Sequence, residues 1–205
     1  MPANKHSFEA LKAYLPEGSF DLVMPLIIHH KVHLTISRQR QTKLGDYRNA
    51  YGSKNHRISV NGNLNKYSFL ITLLHELAHL LAYEQFGNRI QPHGAEWKRT
   101  YGMVLKDFLG KHLFPPDIAK ELQATIHNPA ASSCAEDGLQ RILNRYDTRR
   151  PGVKMVEQLI TGQQFKIPGG RVFVKGEVIR KRIKCFELPA MKPYLFSPLY
   201  EVMEL

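Results

Sequence analysis

The chain has 205 residues, 43% of them hydrophobic and 23% charged, which suits one ordinary domain or a domain with a small appendage and excludes disorder throughout. Lys and Arg number 29 against 18 Asp and Glu, a formal charge of +11, so a polyanion such as DNA is the expected partner at moderate salt. Two distant cysteines, Cys134 and Cys185, exclude a disulfide framework and suit a reducing, cytoplasmic setting. The first ten residues lack the apolar stretch of a signal peptide, and the most apolar run, 69–83, is shorter than the roughly 20 residues a membrane span needs, so no membrane segment is expected.

In chain order, 7–15 reads as a short helix with Ser7 as N-cap and Pro16–Gly18 as its stop. The apolar stretch 22–28 carries Pro25 and fits no single element. Val32, Leu34 and Ile36 alternate with polar residues, so 31–38 reads as a strand, 45–52 as a second strand or turn-rich segment, and 56–60 as a third strand ended by Asn61–Gly62–Asn63. A helix over 67–85 follows, apolar almost all round and therefore expected at the centre of the fold. After a loop at 91–94 come helices over 95–109 and 116–125. Residues 127–140 are small, polar and rich in breakers, and read as a linker. Beyond it 165–167, 171–175, 178–188 and 194–202 read as short strands, with hairpin turns at 168–170 and 175–177.

The chemistry sits in the sequence His75-Glu76-Leu77-Ala78-His79. On a helix, positions four apart share a face, so His75 and His79 can offer two imidazole nitrogens to one metal ion, at roughly 2.0–2.1 Å for zinc. Glu76 points off that axis, where it can act on water beside the metal without ligating it; this is the HExxH pattern of metallopeptidases. His and Glu left unpaired in so apolar a helix would be costly to bury. A catalytic zinc takes three protein ligands and one open position. His93 is the first His after the motif, and its neighbour Gly94 permits close backbone approach. Glu96 is a rival, since a carboxylate is the third ligand in some zinc enzymes; Glu84, five residues past His79, points to a different side. His29, His30 and His33 read as surface residues, and Cys134, with no basic neighbour, as unreactive.

The segment Leu73-Leu74-His75-Glu76-Leu77-Ala78-His79, followed by His93-Gly94-Ala95-Glu96-Trp97-Lys98, resembles the SprT-like metallopeptidases, which include the eukaryotic Spartan proteases. The likeness covers roughly 5–110 and includes the strand and Gly45 hairpin upstream. It implies zinc (Zn2+) held by His75, His79 and His93, Glu76 as catalytic acid and base, and protein substrates bound to DNA. Many bacterial members end in a zinc ribbon of paired cysteines; this tail has Cys185 alone, so a second zinc is not expected.

Between 141 and 205, 13 Lys and Arg face 6 Asp and Glu, about +7 of the total charge. On one strand, Arg180, Arg182 and Lys184 would share a face and could meet phosphates, with Phe173, Phe186 or Tyr194 available to stack on bases and Arg149–Arg150 adding charge. The expected fold is therefore α+β: a zincin-like domain over 1–126 with a small antiparallel sheet packed on the motif helix, a linker over 127–140, and a basic β-rich module over 141–205. The strand 56–60 offers an edge for an extended substrate. The expected function is zinc-dependent hydrolysis of peptide bonds in DNA-associated proteins. The competing reading is a nucleic-acid-binding regulator with a structural or vestigial zinc.

Overall fold

The structure is a computed structural model that describes residues 9–40, 42–134, 136–148 and 151–205. The expected cap at Ser7 and the pair Arg149–Arg150 lie outside these residues. The chain divides into two compact units, residues 1–147 and 148–205.

In the first unit a 3-10 turn, Ala10–Tyr14, precedes helix α1, Phe20–His29. Pro25 lies inside α1 and removes one backbone donor, but the burial of Val23, Met24 and Ile27 outweighs that loss. Strands β1 (His33–Ser37), β2 (Gly45–Arg48) and β3 (Arg57–Asn61) form a sheet of order β1-β3-β2. This corrects the expected antiparallel sheet: β3 runs antiparallel to β2 but parallel to β1. Ile58 and Val60 are buried in the core, which makes β3 the strand best suited to the centre. The expectation that β3 offers a free edge for substrate is corrected too, because both of its edges are paired; the strand ends of this sheet are β1 and β2.

Helix α2, Lys66–Phe86, carries the motif. The side chain of Asn65 accepts from the Ser68 N–H at 2.9 Å, and the left-handed Gly87 ends the helix. Thirteen of its residues, from Ser68 to Ala82, are buried, as expected of a central helix. Helix α3, Ala95–Leu109, turns Trp97, Tyr101, Leu105 and Phe108 inward, a helical spacing of apolar residues. Helix α4, Pro116–Thr125, starts at Pro116, where the missing N–H costs nothing.

The segment read as a linker is packed structure. Cys134, Leu139 and Leu143 are buried in the core of the first unit, and helix α5, Asp137–Leu143, belongs to it. Four contacts secure it: the Tyr146 hydroxyl donates to Asp117 at 2.9 Å, the Tyr67 and Tyr146 rings meet edge to face at 4.9 Å, and Asn65 Nδ2 donates to the Leu143 carbonyl at 3.1 Å and to Asp147 at 2.6 Å. Small and polar residues disguised the segment, whose apolar anchors are few.

The second unit is a six-stranded antiparallel sheet of order β4-β9-β5-β6-β7-β8: β4 Val153–Met155, β5 Gln164–Lys166, β6 Val172–Ile179, β7 Arg182–Glu187, β8 Lys192–Phe196 and β9 Glu201–Glu204. Phe165, Phe173 and Phe196 form the centre of its core, with ring centroids 5.0–5.6 Å apart. The turn expected at 168–170 joins β5 to β6. The turn expected at 175–177 is instead a bulge within β6, and the chain reverses at Arg180 and Lys181.

Asn65→Ala removes the helix cap and both bonds to the α5 segment. It is expected to lower stability by about 2 kcal/mol, read as a shift of the urea midpoint with an unchanged slope.

Candidate metal centre

The three imidazoles expected to gather do so. His75 and His79 lie one turn apart on α2, and His93 returns to them from the loop before α3. Their Nε2 atoms form a nearly equilateral triangle: 3.2 Å from His75 to His93, 3.3 Å from His75 to His79 and 3.0 Å from His79 to His93. Tetrahedral ligands about 2.05 Å from a zinc ion are separated by about 3.3 Å, so the triangle matches one face of such a polyhedron. Among the described residues this is the one group of three or more His, Cys, Asp or Glu spaced to hold an ion. Glu84 lies apart from it, within 2.7 Å of His30 Nδ1, and Glu96 is not in the group.

Electrostatics favour an ion at this point. Burial, then the neighbouring His79 and His93, pushes His75 down to about 3, and burial and His93 push His79 down to about 4. His93 is lowered by burial and by Lys98. The rings stay neutral near pH 7 and offer lone pairs, the form a metal needs. Packing orients them. Trp97, 1% exposed, has its ring centroid 4.7 Å from His75, 5.0 Å from His79 and 4.7 Å from His93. His75 Nδ1 is buried without a bonding partner among the described residues, and the rings of Trp97 and Tyr101 pack against this imidazole. His93 holds a left-handed backbone, φ 58°, a conformation commoner for His than for most residues, and this turns its ring back toward α2.

Glu76 is buried, and burial followed by the charge of Asp46 raises it to about 8, against the pull of Arg40, Lys43 and the Tyr47 N–H. Strand β2 forms its other wall. A Cβ on Gly45 would overlap the Glu76 carboxylate and lie 2.8 Å from Thr72 Cγ2, so this position must be glycine for Glu76 to keep its seat. Tyr47 lays its ring parallel to that of His79, centroids 6.3 Å apart. The Tyr47 hydroxyl lies 2.9 Å from His56 Nδ1, which also accepts from the Ala50 N–H at 3.2 Å. A backbone N–H can only donate, so Nδ1 is the acceptor and Tyr47 is the donor.

The centre opens into a cleft of about 1090 Å³ lined by β2, the motif residues, Gln91–His93 and residues 131–133. Sequence reading missed Tyr47 and the wall at 131–133. The lone glycine in the β2 pattern was a usable signal of close backbone approach.

Residues 19–117 match the model of the SprT-like family. The first unit belongs to the SprT-like family. Proteins named Protein SprT share short stretches with the chain: 61% identity over 36 residues with that of Glaesserella parasuis serovar 5 (strain SH0165), 18% of this chain and 20% of the relative. The one from Pseudomonas fluorescens (strain Pf0-1) is 46% identical over 46 residues, 22% of this chain and 24% of the relative. The matched stretches thus span only a fifth to a quarter of those relatives. No solved structure matches the chain. No described helix is long and apolar enough to cross a membrane.

The basic residues singled out in the tail lie in the second unit, outside the SprT-like match. Arg182 and Lys184 share a face of β7, since Ile183 and Cys185, which alternate with them, are buried. Arg180 does not join them: it sits in the reversal with φ 55°. Phe173 is fully buried and cannot stack on a base, whereas Phe186, under Lys184 Nζ at 5.3 Å, and Tyr194 remain partly exposed.

Zinc supplied to the metal-free SprT-like protein at about 100 times its dissociation constant is expected to add about 2.7 kcal/mol of stability. The readout is a rise in Tm that a chelator reverses and that His75→Ala, His79→Ala or His93→Ala largely abolishes. Gly45→Ala is expected to lower stability by about 1–3 kcal/mol while keeping the zinc-dependent rise, because it displaces Glu76 and not the imidazoles.

Proposed function

We propose that the chain is a zinc-dependent metallopeptidase with a zincin-type HExxH centre, acting on proteins associated with DNA. The observation that carries this reading is the convergence of three neutral imidazoles beside a buried carboxyl group at the floor of a cleft. His75, His79 and His93 would hold the ion and leave it accessible to water or substrate from the cleft. Bound zinc supplies a Lewis acid that polarises the scissile carbonyl and acidifies water.

The chain's own residues do the rest. Ionised, the form that a cation held by the three imidazoles would favour, Glu76 takes a proton from the attacking water as its oxygen bonds the carbonyl carbon. The same carboxyl group then gives that proton to the leaving amine as the C–N bond breaks. The close approach of β2 at Gly45 holds Glu76 in place for both transfers. Strand β2 lines the cleft with an edge that no described strand pairs, so an extended polypeptide can add to it through main-chain hydrogen bonds. Recognition of main chain makes the enzyme broadly tolerant of sequence. The net charge of +11 and the exposed Arg182, with Lys184 and Phe186 beside it, support a nucleic-acid contact in the second unit.

The test is cleavage of a DNA-binding protein by wild type and Glu76→Gln, with and without single-stranded DNA. Glu76→Gln is expected to lower kcat by about 100-fold or more while keeping the zinc-dependent rise in Tm. Cleavage independent of DNA would keep the peptidase and remove the DNA link. DNA binding without cleavage by either form would favour a regulator with a structural or vestigial zinc.

A further inference from the structure

Strand β2 carries a charge pattern that the hydrolytic chemistry does not use. The Asn61 N–H donates to the Leu44 carbonyl at 2.9 Å, which fixes the parity of the β2–β3 ladder. Asp46 and Arg48 therefore bond inward to β3, and the backbone groups of Gly45 and Tyr47 face the open edge. Arg48 and Arg57 are register partners, so both guanidinium groups leave the same face of the sheet, and both line the cleft.

These two cations are poorly compensated. Arg48 shares Asp46 with Lys43, at 3.0 and 2.7 Å. Arg57 is partly buried, its Nε is shut off from solvent without an acceptor, and no described residue pairs with it. Like charges directly across a ladder destabilise it, and a half-buried guanidinium without a partner adds to that cost. A carboxylate accepting two N–H bonds from such a group would relieve both.

We propose that Arg48 and Arg57 form a subsite of the cleft that selects an acidic side chain, Asp or Glu, on the bound polypeptide. The proposal rests on the peptide-hydrolysis reading above. A strand added to β2 would bond at Gly45 and Tyr47, and its residue opposite Arg48 would occupy a non-hydrogen-bonded pair with Cα atoms about 4.5 Å apart. The side chain of that residue falls on the Arg48 and Arg57 face. Main-chain pairing thus supplies affinity, and this one position supplies a preference.

The experiment uses the full chain loaded with zinc and a peptide series in which Glu, Gln or Lys replaces each residue in turn around the cleaved bond. At one position kcat/KM is expected to be about tenfold higher for Glu than for Gln, and lower again for Lys. In R48Q and R57Q the Glu-to-Gln ratio falls toward one; in the double variant R48E/R57E the order reverses to favour Lys. The zinc-dependent rise in Tm reports that each variant has folded. Equal rates for Glu, Gln and Lys at every position in wild type, or a ratio unchanged in R48Q and R57Q, overturns the proposal alone. A ratio near one together with weaker single-stranded DNA binding by R48Q and R57Q assigns the pair to phosphate and also overturns it. No cleavage of any peptide overturns the hydrolysis reading and this inference with it.

Discussion

Three imidazole lone pairs held 3.0–3.3 Å apart repel one another unless a proton or a cation lies between them. Burial makes protonation unfavourable, since it drives His75 and His79 well below their usual range. A fold that keeps such a cluster inside an apolar helix accepts a cost that metal coordination reverses. Much of the surrounding architecture serves to hold that arrangement: Trp97 against all three rings, the left-handed backbone at His93, and the close approach of β2 at Gly45.

The central helix links fold to chemistry. Helix α2 is buried nearly all round, and its buried His75 and Glu76 both line the cleft. His75 and Glu76 are adjacent in sequence yet belong to different walls. His75 faces α3 and Trp97, and Glu76 faces β2. That division lets a single turn of helix present both an imidazole and a carboxyl group to the same cleft from different walls.

Much of the site was legible in the sequence because its signals are local. The i, i+4 spacing of His75 and His79 needs only helical geometry, and the boundaries of α3 and α4 followed from Gly94, Gly110 and Pro116. What was not legible depends on pairing between distant residues. Nothing in the alternation of β1, β2 and β3 says which takes the middle, so the mixed sheet and its open β2 edge had to be seen. Arg180 lost its place beside Arg182 for the same reason: a reversal two residues long hides inside a run of basic residues that reads as one strand. Residues 127–140 were read as a linker because their few buried anchors, Cys134 and Leu139, are diluted by breakers.

Those residues and the few that follow give the molecule a temporal property. Asn65, at the first turn of the motif helix, finds two of its bonding partners at Leu143 and Asp147, about 80 residues further on. Residues 131–133 wall the cleft from the same late stretch of chain. During synthesis the two motif histidines and His93 emerge well before either support exists. The three imidazoles are thus present on the ribosome before the cleft is complete, and the nascent chain passes through a stage in which the histidine cluster exists without its finished groove.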